Sequence, residues 1–490
     1  MRRWPPLAWV AHGKRFGDVI EVSHGLRVET HEDWFGEIVW DGPFQDARFD
    51  ETDLVLGSGG RVGENGVTFV SAGHTMDRLI LCRVGDQYWI SNSLPAALLL
   101  SQTNVSQLYR SYPADFSKII LGIDQYDGRL KEVSNSTELI YHDNVVVDSG
   151  GIRRQAKPSL RRNLENFESY RDFLKDALVR CGENLRHVQR RFRYEWLGTL
   201  SSGFDSPTVC ALARPAGLAE AMTITTARGG GDDSGETIGE QLGLNVHRVC
   251  REAWRDKPFS EVPFLASDAK GEDVYYASAG RLLDGRVVLT GYAAGAWAIR
   301  DRPLASLRRA DQSGLSLTEY RLHAGFIHLP VPTLGLRTSH GIEMINRSEA
   351  MRPWVSGKRY DKPFCRRVLT ELGVDSELYG QEKRAASILL FDRRSFLSPQ
   401  SLADFQVHLR RLWQRDWCRM LWHRLKVICR AWSAKVLLIV AGSLPGEFAR
   451  RLVRSVRLNE AAHRDFRYDD LFAWAIERTT ALYRPDGEER

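Results

Sequence analysis

The sequence predicts an α/β fold: a doubly wound parallel sheet with a phosphate-cradling turn, preceded by a mainly β domain and followed by a helical region. Three observations predict it. The stretch Tyr194–Leu212, YEWLGTLSSGFDSPTVCAL, reads as a buried strand, a tight turn and an opening helix. From 165 to 400, short apolar runs alternate with helical lengths, the pattern of parallel crossovers. Residues 1–150 read as short strands and hairpins, and 401–490 as basic, Trp-rich helix.

Taken in order, the first region has apolar runs at Val19–Val28, Leu54–Leu56 and Gly66–Val70. Asp77–Ser93 predicts a hairpin, Leu79–Val84 against Tyr88–Ser91, turning at Gly85-Asp86. Leu94–Leu100 has a proline at its second position and predicts a helix start. Leu139–Val147 predicts another strand. Gly150-Gly151 and Arg153-Arg154 read as a linker, and Asn166–Val188 as a helix. Ala221–Ala227, Asn245–Val249 and Arg286–Thr290 supply three further strands, the first followed by a loop, Arg228–Asp233, and a helix with Glu236, Ile238 and Leu242. Ligands on doubly wound sheets sit beyond the carboxyl ends of strands. The loops Ser201–Ser206, Arg228–Asp233 and Gly291–Ala296 are therefore expected on one edge.

The composition sets bounds. A net charge of +6 over 490 residues permits anionic partners without demanding nucleic acid. No basic repeat interleaved with aromatics points to single strands, so nucleic acid is not expected. The 7 cysteines are scattered, with no C-x-x-C pair, which argues against a disulfide framework or zinc site and for a reducing, cytoplasmic setting. The opening MRRWPPLAWVAHGKRFG is broken by prolines and is a poor signal peptide.

The central turn holds Ser201, Ser202, Gly203, Phe204, Asp205 and Ser206, then Pro207. Pro207 suits the first helical position and Ser206 the N-cap. Gly203 lets the backbone turn sharply. Several N–H groups and a helix N-terminus then aim at one point, which suits a polyanion. The turn lacks the G-x-x-x-x-G-K-[ST] pattern, so it is not a Walker loop. A carboxylate at Asp205 makes sense beside phosphates if it holds a bridging magnesium ion. The same hexapeptide also fits an unliganded strand-to-helix turn.

The pattern S-x-G-x-D-S resembles the pyrophosphate loop of ATP pyrophosphatases. Together with Thr223–Val249, the V-V-L-T-G strand and the late segment LYGQEKRAAS, it resembles the synthetase domain of asparagine synthetase over roughly Glu195–Ser387. Beta-lactam synthetase and lasso peptide cyclase are relatives in that group. The resemblance implies a PP-loop, adenine nucleotide alpha hydrolase-like domain that uses ATP and Mg2+. It implies phosphate contacts at Ser201, Ser202, Gly203, Phe204, Asp205 and Ser206, with Asp205 on the metal. It implies nucleotide contacts at Ile224, Thr225, Gly291 and Tyr292. Lys383 would stabilise charge as AMP leaves. The implied activity is AMP-forming amide or C–N ligation on a carboxylate-like acceptor.

Two departures qualify that reading. DQYWISNSLPAALL resembles part of the family's glutaminase domain, yet no cysteine precedes Cys82 and Arg2 stands where the nucleophile is needed. A degenerate N-terminal-nucleophile-like domain is expected, with ammonia or an amine supplied from elsewhere. In Thr290–Trp297, TGYAAGAW, no carboxylate occurs, and Gly295 sits where the family's metal-binding aspartate is expected. The alternative function is a catalytically impaired nucleotide-binding subunit of a larger assembly.

Other residues carry blander expectations. Asp232 and Asp233 read as helix caps rather than metal ligands. Glu319, Arg321, His323 and His328 lack H-E-x-x-H spacing, so they read as structural histidines and a surface ion pair, with Glu319 and Arg321 also candidates for an acceptor pocket. Lys358–Arg367 faces either phosphates, an acidic substrate or solvent. In Phe405–Gly442, Trp413 and Trp417 are spaced i, i+4, Trp422 and Trp432 follow, and Arg411, Arg415 and Arg419 recur every four residues. This basic amphipathic helix is expected to pack on the preceding domain, with a membrane surface or a protein partner as alternatives. Glu447–Leu458 and Asp469–Leu482 read as two further helices, Arg484–Arg490 as a frayed tail, and oligomerisation is compatible with the sequence.

Overall fold

The computed structural model describes residues 4–14, 19–107, 109, 112–158, 164–268, 270–298, 312–335, 339–357, 360–388, 396–415, eight separate positions from 417 to 436, and 468–484. It is a mixed α/β structure with two antiparallel sheets and one parallel sheet.

The antiparallel strands are β1 (Trp9–Lys14), β2 (Ile20–His24), β3 (Glu29–Thr30), β4 (Trp34–Trp40), β5 (Val55–Gly63), β6 (Gly66–Val70), β7 (Leu79–Val84), β8 (Gln87–Ser91), β9 (Ser136–Ile140), β10 (Asn144–Asp148) and β11 (Gly151–Gln155). One sheet runs β2-β1-β8-β7-β9 and the other β11-β10-β6-β5-β4-β3. Alternate side chains of both, Trp9, Ala11, Leu79, Leu81 and Ile90 from one and Phe69, Val145 and Val147 from the other, meet in an apolar core. The β7–β8 hairpin pairs as expected, Val84 opposite Gln87. The Leu94–Leu100 helix also forms, with Ser93 Oγ accepting from Ala96 N at 3.2 Å.

Three readings of this region are corrected. Leu139–Val147 is two strands in different sheets, because the chain breaks at Tyr141–Asp143 with His142 in the left-handed region at φ 63°. Gly151–Gln155 is no linker: it pairs with β10 through Val145↔Arg154. The apolar runs also understate the sheets, since β1 and β4 join them through Trp-flanked segments of mixed polarity.

The parallel strands are β12 (Glu195–Leu200), β13 (Glu220–Ile224), β14 (Asn245–Val249), β15 (Arg286–Thr290) and β16 (Ile327–Pro330), ordered β14-β13-β12-β15-β16. Val287, Val288 and Leu289 are buried in succession, as expected for a strand covered on both faces. The helix Phe167–Leu185 opens on a reciprocal Asn166–Ser169 capping box and buries Tyr170, Leu174, Ala177, Leu178 and Cys181. β16 was not anticipated, because its four residues lie inside a run read for its histidines. The strand order reverses between β12 and β15, so a crevice opens at their carboxyl ends.

The helix Pro399–Arg415 buries Ser401, Phe405, His408 and Leu409, and packs on the helix Tyr468–Thr480 through the Phe405–Trp474 ring pair. Among the described residues beyond Arg415, the expected packing of the aromatic face is not seen. Trp417, Leu421, Leu425, Trp432 and Val436 are exposed. Trp422 and the segment Glu447–Leu458 lie outside the described residues. Among the described residues, no helix is long and apolar enough to cross a membrane.

Candidate functional site at the carboxyl edge of the parallel sheet

A cavity of about 380 Å³ lies at the β12–β15 reversal. Its wall includes Ser201, Gly203, Phe204, Asp205, Ser206, Ile224, Gly291, Tyr292 and Lys383. Most of the residues expected from the sequence are thus brought together. Ser202 and Thr225 are not on the wall. The Ser202 hydroxyl donates to Asp233 Oδ1 at 2.7 Å, and the Thr225 backbone is taken up by Val249 O and Asp233 N.

The turn is held by its own side chains. Ser201 Oγ lies 2.9 Å from Ser206 Oγ and accepts from Gly203 N at 3.3 Å. Gly380 N donates to Ser202 O at 2.8 Å, and the Phe204 ring packs against Tyr360 and Tyr379. The helix begins at Asp205, earlier than expected, so Ser206 is not its N-cap and Pro207 lies within its first turn. The serine hydroxyl goes to Ser201 instead, because the turn closes on itself. Asp232 and Asp233 cap nothing either: the next helix, Glu236–Gln241, starts after Gly235 without a side-chain cap. Asp232 Oδ1 closes a local turn onto Ser234 N. Burial pushes the Asp233 carboxyl up, against the hydrogen bonds from Ser202.

Opposite this turn runs the loop after β15. It approaches so closely that a Cβ on Gly291 would lie 2.5 Å from Asp205 Cβ. Lys362 reaches into the gap from the N-terminal end of the helix Pro363–Glu371. Its Nζ donates to Asp205 Oδ1 at 2.5 Å and to Ala294 O at 3.1 Å, and the side chain is nearly buried. Of the basic segment Lys358–Arg367, this lysine therefore faces the cavity. Arg366 and Arg367 pair instead with Asp361, Glu168 and Glu371.

Asp205 already holds an ammonium, the apposed loop has no carboxylate, and no cluster of three or more His, Cys, Asp or Glu exists among the described residues. Magnesium demands near-octahedral oxygen ligands. The side chains present do not fit it.

The chain matches no known protein-family model and no curated protein.

The far wall was not foreseen. Asp273 Oδ1 accepts from Tyr292 OH at 3.0 Å, and Oδ2 accepts from Gly314 N at 3.0 Å and Ser316 Oγ at 2.6 Å. Tyr275 OH lies 2.6 Å from Tyr292 OH. Burial raises the Asp273 carboxyl to about 6, opposed by the Ser316 and Tyr292 hydrogen bonds. The cavity therefore has a cationic, N–H-rich end and a carboxylate–phenol end. Asp273 stands in an unremarkable stretch, KGEDVYY, and nothing local marks it.

The Glu319–His328 run lies elsewhere. Arg321 binds both Glu37 oxygens at 2.9 and 3.1 Å and Asp77 at 2.9 Å, all buried. Glu319 accepts from Ser93 and Tyr483 at 2.8 and 2.6 Å and pairs with His323. These side chains are neither a surface ion pair nor part of the cavity wall. They tie the antiparallel sheets to the parallel one. His328 is buried with Nε2 2.8 Å from Thr290 Oγ1, in keeping with a structural histidine.

Proposed function

We propose that the chain binds ATP at the β12–β15 crevice and is an AMP- and pyrophosphate-forming carbon–nitrogen ligase of the asparagine synthetase type. In this reading the parallel-sheet domain is a PP-loop synthetase domain and the antiparallel sheets are a degenerate glutaminase-like domain. One observation carries it: four segments distant in sequence deliver the Ser201–Ser206 turn, the Gly291–Tyr292 turn, Lys362 and Lys383 to one cavity.

The backbone N–H groups and helix N-terminus of the turn bind the β- and γ-phosphates. Lys362 and Lys383 add positive charge where it is needed, with little reorganisation. Ile224, at the end of β13, borders the adenine. A carboxylate oxygen of the acceptor attacks the α-phosphorus, the bond to the β-phosphate oxygen breaks, and pyrophosphate stays on the turn. Ammonia or an amine then attacks the acyl carbon and AMP leaves.

The test is calorimetric titration of ATP into the native chain and Gly203→Glu. A Cβ at Gly203 meets nothing closer than 3.4 Å, so the side chain starts without a clash and brings its charge to the phosphate cradle; the unfolding midpoint of the variant checks its fold. Binding by the native chain that the variant loses supports the reading; equal binding by both overturns it.

A second reading has its own observation. The carboxylate-free loop Gly291–Trp297 favours a subunit that binds nucleotide without turnover. AMP and pyrophosphate release with ammonia and a panel of carboxylates separates the two.

A further inference from the structure

We propose that the Lys362 ammonium takes the place of the metal ion in this crevice, so that polyphosphate binds without a divalent cation. This rests on the nucleotide-binding reading above and deepens it.

The Lys362 ammonium is held from two sides. It bridges the two loops whose separation defines the crevice, touching Asp205 Oδ1 at 2.5 Å and Ala294 O at 3.1 Å. Those are oxygens from opposite sides of the strand-order reversal, the pair a bridging cation would take. A lysine has three N–H donors, and two are used here. The third is left for a phosphate oxygen.

The loop after β15 packs directly on the aspartate, closely enough that even a methyl at Gly291 would clash with Asp205 Cβ and backbone. The residues available there are Gly, Tyr, Ala, Ala, Gly, Ala and Trp. No carboxylate stands among them, and the ammonium already holds the Ala294 carbonyl.

A metal binding Asp205 Oδ1 would need that oxygen at roughly 2.1 Å, inside the space the ammonium occupies. It would drive Lys362 from its partner while the lysine remains buried. A buried ammonium left without a partner is strongly disfavoured. With the ammonium in place, Asp205 is neutralised, and the phosphates meet a cation rather than a bare carboxylate.

The test uses the full chain, with ATP and inorganic pyrophosphate titrated in EDTA and in excess magnesium. The native chain is expected to bind in EDTA within about threefold of its affinity in magnesium, against the tenfold that 1.4 kcal/mol would represent. Lys362→Met should lose binding in EDTA by tenfold or more, on the order expected for a charge-assisted contact, and recover part of it in magnesium, which gains access to Asp205. Asp205→Asn keeps the carbonyl contact of the lysine and should still bind in EDTA. Unfolding midpoints establish that each variant is folded. Native binding that needs magnesium overturns the proposal, as does EDTA-resistant binding by Lys362→Met. Absence of native binding in both buffers overturns the nucleotide reading itself, and this one with it.

Discussion

The guanidinium of Arg321 is gripped by both carboxylate oxygens of Glu37, 284 residues away, with Asp77 on its remaining nitrogen. One cation thus serves two buried carboxylates. Burial raises the Glu37 carboxyl in spite of Arg321, while Asp77 is lowered because the attraction of Arg321, His74 and His328 outweighs its burial. The shared partner makes this one of the buried joints between the antiparallel and parallel sheets, beside the contact of His74 Nε2 with His328 O.

Arg321→Met is therefore expected to destabilise strongly, by about 3–5 kcal/mol, because two buried carboxylates lose their counter-ion. Glu37→Gln added to Arg321→Met should recover part of the loss. Urea unfolding followed by tryptophan fluorescence measures both. A loss under 1 kcal/mol would show the joint to be dispensable.

Asp273 sets a pH dependence. Its folded pKa, about 6, is raised above that of an exposed aspartate, so the native chain holds the proton more tightly than the unfolded chain does. Its contribution is fully present below the unfolded pKa and is lost as pH rises through the folded one. Relative to Asp273→Asn, the native chain should lose on the order of 3 kcal/mol between about pH 4 and 7. Paired unfolding curves across that range check it; a difference that stays constant with pH counts against it.

Gly291→Ala tests how tightly the two loops meet. Its methyl would lie 2.5 Å from Asp205 Cβ and 2.8 Å from Asp205 C, and backbone must shift to admit it. The expected cost is about 1–3 kcal/mol of stability, with nucleotide affinity falling as well. Stability and affinity equal to the native chain's would mean that the crevice is wider than described.

Lys383 is exposed on the cavity wall, so its removal should leave stability alone. Under the proposed reaction, Lys383→Ala lowers pyrophosphate release by roughly 10²–10³-fold, as for other groups that meet developing charge. Melting and turnover measured together decide it: an unchanged rate removes Lys383 from catalysis.

Much of the fold is legible from neighbours in sequence. The β7–β8 hairpin, the capped helix Leu94–Leu100 and the alternation of strand and helix from β12 to β15 follow from periodicity and turn chemistry, which act within a few residues. Leu139–Val147 misleads because both halves are apolar, and only the left-handed His142 sends them to different sheets. Ser206 misleads because a good capping residue found a better partner in Ser201.

By itself, the sequence determined the element types, the central turn and the absence of a carboxylate between Gly291 and Trp297. Tertiary structure alone decided which charges face one another. Lys362 meets Asp205 across 157 residues, Asp273 meets Tyr292 and Ser316, and Arg321 leaves the surface for Glu37. The physical reason is range. Local propensity is set by adjacent side chains, whereas the partner of a buried charge depends on which surfaces folding brings together, and burial makes a wrong pairing too costly to persist.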